Sequence, residues 1–156
     1  MSKTPEFDFA AAHRHFSVHC FNQAWELMEK ADRTAEEDQF MVAFNQASIF
    51  HWTRRPDCSD EKLSVGYWQA SRIQSLLWNT VEAIRLAHVC HCYSLNLKPC
   101  YLGYAHEAIA RAHRQAGHSE LADKHCNDAK ELLERISNKQ ERELLEADLL
   151  QIVGIV

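Results

Sequence analysis

The chain has 156 residues, a length that suits one domain and buries a core without disulfide or metal staples. Four glycines and three prolines are too few for a sheet protein with many tight turns, so helix is favoured. The net charge of −5, from 17 basic and 22 acidic side chains, argues against non-specific nucleic-acid binding, which needs excess Lys and Arg to displace counterions.

That charge is uneven. Residues 61–118 carry six basic and three acidic groups, whereas the segments before and after are each net acidic. A positive belt between acidic ends suits an anionic ligand, although sampling in a short chain produces the same unevenness. There is no apolar h-region of a signal peptide and no apolar run of the ~18 residues needed to span a bilayer. Cys20, Cys58, Cys90, Cys92, Cys100 and Cys126 show no framework spacing. They read as free thiols of a reducing compartment, so a soluble cytoplasmic protein is expected.

About seven helices are expected, and the fold class is all-α. Thr4 caps the first helix, with Pro5 at its first position, and the helix runs to Lys30. Phe9, Ala12, Phe16, Cys20, Ala24 and Leu27 give it an apolar stripe at spacings of three and four. Thr34 to Glu37 is a capping box that opens the second helix, which ends near Arg54 and whose stripe is Phe40, Ala43 or Phe44, Ala47 and Phe50. The third helix spans Asp60 to Trp78, and the fourth starts at Asn79 and ends near Leu95. The fifth follows the turn at Pro99 and closes at Gly117. The sixth runs from Ser119 to Ile136, and a capping box at Ser137 to Gln140 opens the last, which ends near Val153. Short turns imply antiparallel neighbours.

The fifth and sixth helices resemble a tetratricopeptide repeat. Ile109, Ala110, Gly117, Ala122 and Ala129 stand at that family's Leu, Gly/Ala, Gly, Ala and Ala positions, small residues that let the helices of a hairpin approach closely. The third and fourth helices fit the same frame 39 residues earlier, with Ser71, Ala83 and Cys90 matching Ala110, Ala122 and Ala129. The family pattern is departed from where His106 and His113 occupy aromatic positions and Trp78 occupies the glycine position. The resemblance covers residues 64–136 and implies a single TPR-like domain, a right-handed array of antiparallel helical hairpins. The hairpins would be residues 1–58, 59–97 and 98–137, with a C-terminal capping helix at 138–156. A plain helical bundle is the alternative.

In that family the first helix of each hairpin lines a groove that binds peptides. Carrying the groove frame over selects Trp68, Arg72 and Ser75 from the third helix and Tyr104, Glu107, Arg111 and Arg114 from the fifth. The guanidinium fork matches a carboxylate or phosphate, and Trp and Tyr give rigid contact area. Against this, Glu107 and Arg111 are four apart and also read as an exposed helix pair, and Trp68 also reads as core.

A second set is His88, His91 and Cys92, which one helical face presents at i, i+3 and i+4 as half of a zinc site, with a fourth ligand from Cys100 or His106. His106 and His113, seven apart, lie about 10.5 Å apart along a helix and cannot share an ion. On the first helix His15 and His19 share a face, and His51 could meet them. No glycine-rich phosphate loop and no G-x-S-x-G elbow occurs, so no catalytic residue is selected. The expectation is a binding module needing no cofactor, with a protein or peptide partner bearing an acidic group, and neither nucleic acid nor membrane. The alternative is a metal- or small-molecule-binding helical protein, which leaves open an enzyme. The apolar end at residues 151–156 favours a homodimer.

Overall fold

The structure, a computed structural model, describes residues 7–155. Thr4 and Pro5, expected to open the first helix, and Val156 lie outside the described residues. Among those residues there are seven helices and no strand, and no helix is long and apolar enough to cross a membrane. The chain divides into two compact units, with the break between Cys58 and Ser59.

The first unit is a hairpin of α1 (Phe9–Glu29) and α2 (Ala35–Thr53). Asp8 caps α1 by accepting from the Ala11 N–H at 2.8 Å. The capping box at Thr34 is present, with Thr34 Oγ1 accepting from the Glu37 N–H and the Glu37 carboxylate accepting from the Thr34 N–H. The buried face keeps Cys20 and Ala24 of the expected stripes but not Phe9, Phe16, Phe40 or Phe50. Ser17, Cys20 and Ala24 of α1 meet the side of α2 that buries Met41, Asn45, Ser48 and Ile49, while Phe9, Phe16, Phe40 and Phe50 are exposed. Ser48 Oγ donates to the Ser17 carbonyl at 2.7 Å across the hairpin. So close an approach to backbone needs small side chains at the crossing, and Phe9, Phe16, Phe40 and Phe50 are left on the outside.

The second unit holds α3 (Asp60–Leu76), α4 (Thr80–Ser94), α5 (Pro99–Gln115), α6 (Ser119–Leu133) and α7 (Lys139–Val153). Ser59 and Asn138 cap α3 and α7 through their side chains, whereas Asn79 makes no cap bond to α4. The cap of α7 is therefore one residue later than the Ser137 box implies. α3 packs on α4 and α5 on α6, α5 also lies against α3 and α4, and α7 covers α5 and α6.

The residues matched 39 apart share an environment. Ser71 and Ala110, Ala83 and Ala122, and Cys90 and Ala129 are all at most 1% exposed. Ser71 Oγ donates to the Ala83 carbonyl at 2.9 Å, closing the α3–α4 seam. The turns correspond as well. Trp78 (φ 57) and Gly117 (φ 80) are both left-handed, and the following N–H groups of Asn79 and His118 bond back to the Gln74 and His113 carbonyls at 2.9 Å. This is the Schellman ending, which favours glycine because a Cβ is strained there. Leu145, Leu149 and Ile152 of α7 join Ala110, Cys126, Ala129 and Ile136 in one core. Gly103 permits that contact, since a Cβ there would stand 2.6 Å from Leu145 Cδ2.

Candidate functional site

Two polar centres are built on the second unit. The first gathers five of the seven residues selected for the groove. Glu107, on α5, is 1% exposed. Its Oε2 accepts from the Trp68 indole N–H at 2.9 Å, and its Oε1 accepts from Arg72 Nη1 at 3.2 Å and from Arg111 Nε at 2.8 Å. A buried carboxylate is tolerated when charge-assisted donors meet it from several sides, as here. Tyr104 lies edge-on to Trp68 with ring centres 5.7 Å apart, and the Arg72 guanidinium lies 6.0 Å from the Trp68 ring.

α7 lies against this centre. Asp148 Oδ1 is 4.0 Å from Arg72 Nη2, its carbonyl accepts from Arg111 Nη2 at 3.3 Å, and its carboxyl is hydrogen-bonded with the Tyr104 hydroxyl. Burial and the neighbouring Glu107 raise the Asp148 carboxyl above the usual range, against the pull of Arg72 and Arg111. Burial, then Arg111, lowers the Arg72 guanidinium, and burial raises the Tyr104 phenol. The centre is thus two arginines facing two carboxylates, one from α5 and one from α7. Ser75 and Arg114 are placed elsewhere. Ser75 is buried, with its carbonyl accepting from Gln115 Nε2 at 3.1 Å, and Arg114 pairs with Asp123 of α6 at 2.5 Å.

The second centre is a run of six histidines on α4, α5, the α5–α6 turn and α6. His106 Nδ1 is 2.9 Å from His125 Nδ1, and His113 Nδ1 is 3.0 Å from His118 Nδ1. In each pair one ring nitrogen must donate and the other accept. His91 flanks the first pair, its ring centre 5.0 Å from that of His106, and His88 flanks the second, 6.2 Å from His113. Two three-ring layers result, with His125 and His113 stacked between them at 6.4 Å. Asp128 belongs to the first layer, its Oδ2 3.8 Å from both His106 Nδ1 and His125 Nδ1. Burial, reinforced by the neighbouring rings, lowers His91, His106 and His113, and takes His125 down to about 4. At pH 7 these rings are therefore neutral.

Among the described residues the ligand atoms that gather within 4.8 Å are those of His106, His125 and Asp128. His88 and His91 fall in different layers, and Cys92 is exposed. In the first unit His51 meets His13, Nδ1 to Nδ1 at 2.8 Å, while His15 stacks on His19.

The histidine layers had a signal in the sequence that spacing along single helices does not show. His106, His113, His118 and His125 form a palindrome of gaps, seven, five and seven residues, centred between Gln115 and Ala116 at the start of the α5–α6 turn. Folding an antiparallel hairpin there pairs the outer two and the inner two. Comparison with protein-family models, with curated proteins and with solved structures finds no match to this chain.

Proposed function

We propose that the second unit is a tetratricopeptide-like binding module, its hairpins stacked with a right-handed turn, whose groove face recognises an acidic helical segment of a protein partner. The observation that carries this reading is the meeting of Asp148 with Arg72, Tyr104 and Arg111. An acidic helix, α7, already occupies the face made by α3 and α5, so the chemistry of recognition is written within the chain. The arginines supply the forked donors that suit a carboxylate, and Trp68 and Tyr104 supply rigid apolar walls. Glu107, satisfied from three sides, holds the arginines in place rather than meeting the partner. A partner's carboxylate would compete with Asp148 for the two arginines, while the apolar face of α7 keeps that helix in place.

Two variants with opposite expected effects test this. Asp148→Asn removes the resident carboxylate and should increase capture of the partner from lysate of the source cells. Arg72→Gln removes a recognition fork and should decrease capture of the same partner. Both proteins are first checked for native helix content. Equal capture by wild type and both variants would remove the groove face from consideration.

A further inference from the structure

We infer that His106, His125 and Asp128 form a binding site for a divalent transition-metal ion of the zinc class, seated in the α5–α6 hairpin beside His91. The inference goes beyond the groove reading and is independent of it, because the ligands lie on α5 and α6 residues that make no bond to the Glu107 centre.

The three ligand atoms are Nδ1 of His106, Nδ1 of His125 and Oδ2 of Asp128. They form a triangle with one side of 2.9 Å and two of 3.8 Å. The point equidistant from its corners lies about 2.1 Å from each, within the 2.0–2.2 Å of zinc–nitrogen and zinc–carboxylate bonds. Ordinary helix-surface histidines do not meet this condition, since it requires two ring edges and a carboxylate to face a common centre. The ligand set, two imidazoles and one carboxylate, is borderline in softness and suits zinc or its neighbours rather than calcium or magnesium, which take oxygen ligands. Three protein ligands leave a fourth position for water or for His91.

The short His106–His125 contact has a direct role in loading. Without metal, one Nδ1–H donates to the other Nδ1. When the ion binds, that proton moves to the Nε2 of its own ring, so both Nδ1 lone pairs face the metal and the imidazoles remain neutral. Lys124 Nζ stands 3.9 Å from Asp128 Oδ2, and the lysine is 67% exposed, free to swing into solvent as the ion takes its place. Because His106 is on α5 and His125 and Asp128 are on α6, the ion ties the two helices of the hairpin across their seam.

The test uses the full chain without a histidine tag, stripped with chelator and titrated with Zn2+ against a chromophoric competitor. One equivalent should bind with an affinity of about 1 µM or tighter, and the melting temperature should rise on loading. Asp128→Asn, at a half-exposed position where folding is not at risk, should weaken binding by about 10–100-fold or more, as even outer-shell losses do. It should also abolish the thermal shift. His118→Gln, in the other layer, should leave both unchanged. Co2+ substitution should give visible d–d bands without a thiolate charge-transfer band. Absence of stoichiometric binding, equal binding by wild type and Asp128→Asn, or a thiolate band assigning the metal to Cys92 would each overturn the inference.

Discussion

Trp68 and Glu107 are 39 residues apart, the spacing of the internal repeat, and the Trp68 indole N–H donates to Glu107 Oε2 at 2.9 Å. Equivalent positions on successive hairpins therefore touch, and one of the two carries a buried charge. The centre stands or falls with that charge. Glu107→Ala leaves Arg72 and Arg111 facing each other and should destabilise the protein by about 3–5 kcal/mol. Trp68→Phe keeps the ring and loses only the donor to an ionised acceptor, for a smaller loss of roughly 1.5–3 kcal/mol. Urea unfolding measures both. A cost below about 1 kcal/mol for Glu107→Ala would mean that water, not the arginines, solvates the carboxylate.

The two left-handed turns predict opposite responses to reciprocal substitutions. Trp78 adopts φ 57 with its side chain 66% exposed, so Trp78→Gly relieves backbone strain and gives up little burial. It should raise stability by about 1 kcal/mol. Gly117 has φ 80 and open space around the position of a Cβ. Gly117→Ala should therefore lose about 1 kcal/mol through the backbone alone. Thermal unfolding of the two variants should bracket the wild type. A destabilised Trp78→Gly would show that the indole makes a contact that outweighs its strained backbone.

These turns also show how much of the fold was legible. Helix number and approximate bounds followed from caps and turns, which are local signals, and the buried small residues of α3 to α6 followed from their 39-residue recurrence. The face of the α1–α2 hairpin did so only at Cys20 and Ala24. Its sequence offers phenylalanines at helical spacing, and periodicity reads them as core, whereas the hairpin closes over Ser17 and Ser48, small polar residues that bond across the seam. The grouping of the five residues at the Glu107 centre was legible through the frame that the resemblance supplied, whereas the burial of Glu107 and Arg111 was not. The position of α7 was not legible either, since nothing local to Asp148 says which helix it lies against. The histidine layers were missed because spacing along a single helix does not show them, and their palindrome of gaps acquires meaning only across the α5–α6 turn.

Lowered histidines make stability depend on pH with a definite sign. His125 is neutral in the folded protein down to about 4, whereas in the unfolded chain it titrates at the ordinary 6.5. Above 6.5 neither state holds the proton. As pH falls from 6.5 towards 4 the unfolded chain binds a proton that the folded chain refuses, and stability is lost. For His125 alone the loss has a ceiling of about 3 kcal/mol at a pH of about 4. His91, His106 and His113, and His51 in the first unit, act in the same direction. Asp148 acts against them. Its carboxyl is raised, so the folded state takes up that proton more readily than the unfolded chain and gains stability on acidification. One carboxyl does not offset five rings, and the urea midpoint in chelator should fall steadily between about pH 7 and about pH 5. A flat profile across that interval would show the rings to be solvated.

The same raised carboxyl decides what α7 contributes. A carboxylate whose net surroundings disfavour its charge is not holding its helix down by electrostatic attraction, even with two arginines in reach. The apolar face of α7, with Leu145, Leu149 and Ile152 at most 3% exposed, does that work. Asp148→Asn should therefore leave the urea midpoint unchanged or higher, while freeing Arg72 and Arg111 for an outside anion. Asp148→Lys sets a third cation against the two arginines and should destabilise by roughly 3 kcal/mol, the scale of an uncompensated buried charge. Hydrogen exchange localises the effect. In Asp148→Lys the amides of Lys139–Val153 should exchange faster than those of α3 and α4, whereas in Asp148→Asn they should match the wild type. Faster exchange of α7 in Asp148→Asn would mean that the ion pairs, and not the apolar contacts, keep the helix against α5.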